Sequence, residues 1–265
     1  MIHIGIIPDG NRRWIKKNNN DLNELPYIWL NKIKEHLLNY INNKNNYSKF
    51  KLINEISIYI CSIDNINRND NTKDIIFSLI NIFLELINTK NNKTKIRKIL
   101  NFYNIKLNDN ELNDITNFFL ELSNNIKINI IGDIELIPKY LKDLLKIINN
   151  LNEKNINNNN VKFVLNLAIA YDYKKDIENY GLEDLLKKLD IKDYKNKINK
   201  NYDREQSDID IVFRSGGEYR ISGFFPTKIL YSELFFNKKL WLDISLEDIH
   251  KTIEQYENRN RRFGY

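Results

Sequence analysis

Two kinds of apolar pattern alternate along the chain. Short runs that are apolar at most positions occupy residues 3–7, 56–60, 126–131, 161–167 and 209–213, with a weaker one at 234–236. They predict β-strands buried on both faces. Between them, apolar residues recur at three- and four-residue spacing over 27–41, 73–87, 110–122, 138–149, 182–189 and 246–259, which predicts amphipathic helices. Strands and helices in this order predict an α/β fold with a mostly parallel central sheet covered by helices. Ligands of such sheets gather at the carboxyl ends of the strands, so the chemistry is sought there.

Composition narrows the picture. The Asn-rich stretches at 18–20, 42–46, 91–92 and 155–160 fall between the periodic segments and read as surface loops, because Asn favours turns. A bias towards Asn, Ile and Lys also means that a single Asn or Lys carries little weight. With 265 residues, 42% hydrophobic and 29% charged, the chain is globular and long enough to bury one substantial core, and a single domain over 1–265 is expected. The one cysteine, Cys61, excludes an intramolecular disulfide and fits a reducing compartment. No apolar stretch approaches the ~20 residues of a membrane span, and Met1-Ile2-His3-Ile4-Gly5 puts no basic run ahead of an apolar one. A soluble, cytoplasmic protein is expected, with room for peripheral contact with a membrane. The net charge of +6 suggests an anionic ligand without separating phosphate metabolites from nucleic acid or an anionic membrane surface.

Two strand ends are rich in chemistry. The first strand runs into Pro8-Asp9-Gly10-Asn11-Arg12-Arg13-Trp14, a carboxylate, a glycine turn and two guanidinium groups ahead of a predicted helix. Such a turn can aim backbone N–H groups at an anion, arginines can add bidentate hydrogen bonds, and Asp9 can hold a divalent cation against phosphate oxygens. A helix-capping Asp with solvated arginines is the plain alternative. Gly5 and Gly10 have P-loop spacing, but Asn11-Arg12 stands where that loop needs Lys-Ser/Thr, so a nucleotide P-loop is disfavoured. The fifth strand runs into Arg214-Ser215-Gly216-Gly217-Glu218-Tyr219-Arg220-Ile221-Ser222-Gly223. There Arg214, Arg220 and the Ser222 hydroxyl can converge on one diphosphate, with the paired glycines allowing close backbone approach. Glu233 follows in Tyr231-Ser232-Glu233-Leu234-Phe235-Phe236, and the chain closes on Arg259-Asn260-Arg261-Arg262-Phe263-Gly264-Tyr265. Taken singly, Glu233 reads as a solvated or paired charge.

Together these segments resemble the cis-prenyltransferase family, that of undecaprenyl and dehydrodolichyl diphosphate synthases. Asp9 to Trp14 is similar to the family's opening signature, and Ser62-Ile63-Asp64-Asn65-Ile66-Asn67-Arg68 to its Ser-x-Glu-Asn-Trp-x-Arg segment. Ile130-Ile131-Gly132-Asp133 matches a shorter block, and Asp210 through Glu233 follows the long C-terminal signature, which ends in Arg262-Phe263-Gly264. The resemblance implies a Mg²⁺-dependent enzyme with an apolar tunnel, usually a homodimer, that adds isopentenyl diphosphate to an allylic diphosphate in cis geometry. It implies that Asp9 positions the metal and assists ionisation, and that Glu233 completes the Mg²⁺ site. Gly10, Asn11 and Arg13 would form the allylic phosphate site with Arg68, and Asn65 would assist proton removal. Arg12, Trp14 and Ser62 belong to the same substrate-binding set. Arg214, Arg220 and Ser222 would hold isopentenyl diphosphate, and Arg262 and Gly264 would close the site from a partner subunit.

The chain departs from the family's pattern in several places. An Arg and a His usual beyond the opening helix are missing from Asp21-Leu22-Asn23-Glu24-Leu25-Pro26-Tyr27-Ile28-Trp29. Asp64 stands for Glu, Ile66 for Trp, and Ala170-Tyr171-Asp172-Tyr173-Lys174 for Asn-Tyr-Gly-Gly-Arg. The span from Arg68 to Gly132 is longer than usual, and residues 93–122 look like an added helical pair beside the tunnel. Ile60 stands where the family lines its tunnel with a small residue in long-chain members, which implies short or medium products. A catalytically weak or inactive binding subunit of a heteromer is the alternative; such subunits tend to lose the opening motif, which this chain keeps. No nucleic-acid-binding module is found, so nucleic acid is not expected as a partner.

Overall fold

The computed structural model describes residues 1–68, 70–89, 92–177 and 207–259. Six strands, β1 (Ile2–Ile7), β2 (Ile53–Tyr59), β3 (Ile126–Ile131), β4 (Phe163–Ala168), β5 (Ile211–Arg214) and β6 (Glu233–Phe236), form one sheet in the order β3-β4-β2-β1-β5-β6. Every pairing between them is parallel. The apolar runs became strands because the sheet is covered: all six residues of β1 and all four of β5 are buried.

The helices are α1 (Asn11–Lys17), α2 (Leu25–Asn42), α3 (Ile63–Ile66), α4 (Thr72–Ile87), α5 (Lys93–Phe102), α6 (Asp109–Asn125), α7 (Lys139–Asn157), α8 (Tyr173–Asp176) and α9 (Leu246–Glu257). The helix expected at 182–189 lies outside the described residues. α6 and α9 each start on a reciprocal cap, Asn108 with Glu111 and Ser245 with Asp248, which satisfies first-turn N–H groups. No helix among the described residues is long and apolar enough to cross a membrane.

Side chains alternate across the sheet, and the two faces differ in kind. Ile128, Leu165 and Leu167 pack on one face into a large apolar cluster with α4, α5, α6 and α7, while Ile4, Phe213 and Ile253 of α9 form a second cluster. On the opposite face a polar line crosses four strands. His3 Nε2 lies 2.8 Å from Ser57 Oγ; Asn166 donates to Ser57 at 3.0 Å and to Glu55 at 2.7 Å, and accepts from Asn129 at 2.8 Å. Ser207 closes the line with a 2.7 Å bond to Glu55, so these buried polar groups are partnered. Past this line, Ile7, Tyr171, Phe224 and Phe225 pack an aromatic layer under the carboxyl ends of β1, β4 and β5.

Candidate active site

Three strand ends converge on Asp9. β1 delivers Pro8-Asp9, and Gly10 at φ 99° turns the chain into α1, a left-handed conformation that favours glycine. β5 delivers Arg214, whose Nη2 donates to Asp9 Oδ2 at 2.7 Å, while Arg13 Nη2 lies 3.3 Å from Asp9 Oδ1. Burial works against the charge on Asp9. The hydrogen bond and charge of Arg214, then Arg13 and the Gly10 N–H, outweigh it and hold the carboxyl below its usual range. Arg214 is only 3% exposed; it also donates to Ser222 Oγ at 2.9 Å and to the Arg220 carbonyl, and its Nε has no partner among the described residues. Arg13 reaches the Gly216 carbonyl at 2.8 Å and Glu218 at 3.3 Å, and Glu218 holds Arg220 at 2.5 Å.

The end of β2 adds Ser62 and Asn65. They cap α3 reciprocally, Asn65 N–H donating to Ser62 Oγ at 3.2 Å and Ser62 N–H to Asn65 Oδ1 at 3.0 Å. The Asn65 carboxamide is thus fixed by the helix start that carries it.

Two cavities meet here. One, of about 480 Å³, is walled mostly by apolar side chains: Ile75, Ile76, Leu79, Ile80, Phe83 and Leu86 of α4 beyond Thr72, with Ile58, Leu165, Leu167 and Phe119. The α4 residues recur at three and four, one helix face covering about 21 Å from Thr72 to Leu86. The other cavity, of about 580 Å³, is polar and carries Arg68, Lys174, Arg214, Arg220 and Ser222. Pro8, Asp9, Ile60 and Asn65 line both. Such a pair suits an amphiphile, with a polyanionic head among cations and an apolar tail out of water.

The family model described as "Putative undecaprenyl diphosphate synthase" matches residues 88–264. The tritrans,polycis-undecaprenyl-diphosphate synthase (geranylgeranyl-diphosphate specific) of Sulfurisphaera tokodaii is 34% identical over 99% of this chain and 87% of its own. An isoprenyl transferase of Rickettsia prowazekii is 31% identical, covering 99% of this chain and 97% of its own. The chain belongs to the cis-prenyltransferase family. At the level of fold alone, it matches lavandulyl diphosphate synthase from Lavandula x intermedia, solved with dimethylallyl diphosphate, at TM-score 0.65 and 21% identity over 99% of this chain and 98% of that one.

This cis-prenyltransferase brings most of the residues implied by the resemblance together. Gly10, Asn11, Arg12 and Arg13 rim the apolar cavity, whereas Ser62, Arg68, Arg214, Arg220 and Ser222 line the polar one. Arg68 shares the polar cavity with Asp9 of the opening motif, and its charge and that of Arg12 both act on Asp70. Trp14 lines neither cavity: its indole donates to Asp243 at 2.7 Å and its ring packs beside Ile15, Leu25 and Leu242. Glu233 does not join Asp9 within one chain. It pairs with Ile211 at the amino end of β5, three residues before Arg214 in that strand, or about 10 Å back along the sheet, and it forms an ion pair with Arg259. Arg262 and Gly264 lie outside the described residues.

Several residues lie at the site without having been assigned from sequence. Tyr59 lines the polar cavity, its phenol pushed up to about 12 by burial and then by the nearby Cys61 and Asp64. Lys174 joins the same cavity just past β4, where the search for strand-end chemistry could have found it. Leu22, Trp29 and Trp241 wall the apolar mouth near Asn11, and Trp29 Nε1 donates to Asn11 Oδ1 at 3.2 Å. The segment without the family's usual Arg and His thus supplies apolar wall. Trp241 carries no local sequence signal.

Proposed function

We propose that the protein condenses isopentenyl diphosphate with an allylic prenyl diphosphate to a cis-polyprenyl diphosphate, with Mg²⁺, as a cytoplasmic homodimer with peripheral contact to a membrane. The observation that carries this reading is the junction of an apolar and a cationic cavity at Asp9 and Asn65. The allylic tail lies along α4 with its diphosphate at Gly10 to Arg13, and isopentenyl diphosphate rests on Arg214, Arg220 and Ser222. The allylic C1–O bond breaks with its electron pair on the diphosphate, the isopentenyl double bond forms the new bond from C4 to C1, and a C2 proton leaves near Asn65. The arginines stabilise charge on the departing diphosphate, in surroundings kept dry by the apolar wall.

The residues present fit Mg²⁺. Asp9 offers two carboxylate oxygens beside the phosphate-binding cations, and Mg²⁺ is commonly held by one or two carboxylates plus substrate phosphates and water. No group of three or more His, Cys, Asp or Glu gathers among the described residues, and Asp9 is the carboxylate that lines both cavities. Glu233 can join it only from a second copy of the chain. Bound there, Mg²⁺ would neutralise negative charge on the leaving diphosphate.

The retained Asp9-Arg214-Arg13 contacts favour this reading over a binding subunit without turnover. Purified protein is to be given Mg²⁺, labelled isopentenyl diphosphate and allylic primers of several lengths, geranylgeranyl diphosphate among them. Elongated products that vanish with chelator and in Asp9→Ala are expected. Tight diphosphate binding without elongation from any primer would point to the binding subunit.

A further inference from the structure

α5 packs Ile96 and Leu100 into the apolar cluster that also contains the cavity-wall residues Ile80, Leu86 and Phe119. One helix layer therefore separates the lipid cavity from the outer face of α5. On that face Lys95, Lys98 and Phe102 align at spacings of three and four. Phe102 is 79% exposed, more than any other large hydrophobic among the described residues except Met1, and its ring meets Tyr103 edge-on at 5.0 Å. Residues 92–108 hold five Lys and Arg and no Asp or Glu, as against a net charge of +6 for the whole chain. Arg97 is tied to Asp109 at 2.6 Å; Lys93, Lys95, Lys98 and Lys106 have no ion-pair partner among the described residues.

We propose that the outer face of α5, led by Phe102 between Lys95 and Lys98, docks this protein on an anionic lipid bilayer. The proposal rests on the reading above, since a polyprenyl diphosphate is a lipid that has to pass from the apolar cavity to a membrane. Lysines over anionic headgroups with an aromatic ring at the acyl boundary is the arrangement by which interfacial helices bind. A nucleic acid would match the lysines, but it would not account for their place one layer above a lipid cavity.

The test is flotation of the full-length protein with phosphatidylcholine vesicles, with and without phosphatidylglycerol. Binding should require the anionic lipid. Lys95→Ala with Lys98→Ala should weaken it roughly twenty-five-fold, at about fivefold per surface lysine. Phe102→Ser should weaken it as well, whereas Lys251→Ala on α9 should not; melting curves establish that each variant is folded. Failure to float, or flotation unchanged in the α5 variants, would overturn the proposal, as would RNA binding lost in those variants while vesicle binding stays. Prenyl transfer in detergent is measured in parallel. If docking fails while transfer persists, the enzymatic reading stands alone; if vesicles bind and no transfer occurs, the enzymatic reading has failed.

Discussion

Arg214 does two jobs that a single substitution cannot separate. Its guanidinium is nearly buried and holds Asp9, Ser222 and a backbone carbonyl together, whereas the Arg220 side chain is 61% exposed and pairs with Glu218 among the described residues. Under the proposed function, either loss removes a charge-assisted bond to isopentenyl diphosphate, ~1.5–3 kcal/mol or roughly ten- to a hundredfold in affinity. Arg214→Ala should also lower the melting temperature, since it costs part of the ~3–5 kcal/mol of a broken buried pair, Asp9 keeping some solvent contact. Arg220→Ala should leave melting unchanged. Calorimetric titration with isopentenyl diphosphate beside melting curves checks both, and equal melting losses would deny the distinction. The convergence of Arg214, Arg220 and Ser222 was readable because one loop carries all three. The place of Glu233 was not, because only the register of β6 on β5 decides which end of the sheet it occupies.

Elements were legible where isoleucines recur over a short run, as in the fully buried β1 and in β3, where they alternate with the half-buried Lys127 and Asn129; the limits of both lie within a residue of those read from pattern. β2 starts three residues earlier than its apolar run because Glu55 is buried in the polar line and hides the strand in sequence. That line predicts a pH dependence. Burial lowers the His3 pKa below its ordinary 6.5 against the pull of Glu55 and Asp210, and His36 is lowered too, first by burial and then by Lys32. The unfolded chain therefore takes up protons first as pH falls through 6.5, so the stability these groups contribute is complete above 6.5 and is lost below it. The slope is at most about 1.4 kcal/mol per pH unit for each group. Melting temperature across this range should fall with acid, and His3→Gln should flatten the curve; an unchanged curve would free His3 of the effect. Gly132, at the end of β3, is a second such point. A Cβ there would sit 1.9 Å from the Ile169 carbonyl oxygen at φ 138°, so Gly132→Ala should destabilise by more than the ~1 kcal/mol of an ordinary glycine position, measured by urea unfolding.

At the scale of the whole molecule, the order of strands and helices predicted the sheet, but no pattern in one segment shows that α2, α4, α6 and two strands enclose a single cavity. That enclosure bears on product length. Ile60 lines the cavity as expected, yet it also lines the polar one and stands at the junction with Asp9 and Asn65. Under the proposed function, a growing chain would displace its own tail away from that junction and along α4, and would press last on Phe83, Leu86 and Phe119. Phe119 comes from α6, part of the longer-than-usual span after Arg68, and is 3% exposed. A packed wall of this kind resists each added methylene at ~1–3 kcal/mol. Phe119→Ala should therefore shift the product ladder to longer chains, and Phe119→Leu should do so by less, following the volume removed. Ile60→Ala, which widens the junction, should move the ladder less than either. Separating labelled products by chain length decides the matter: lengthening in Ile60→Ala with none in a folded, active Phe119→Ala would place the length-setting wall at the junction and leave α6 as cavity support alone.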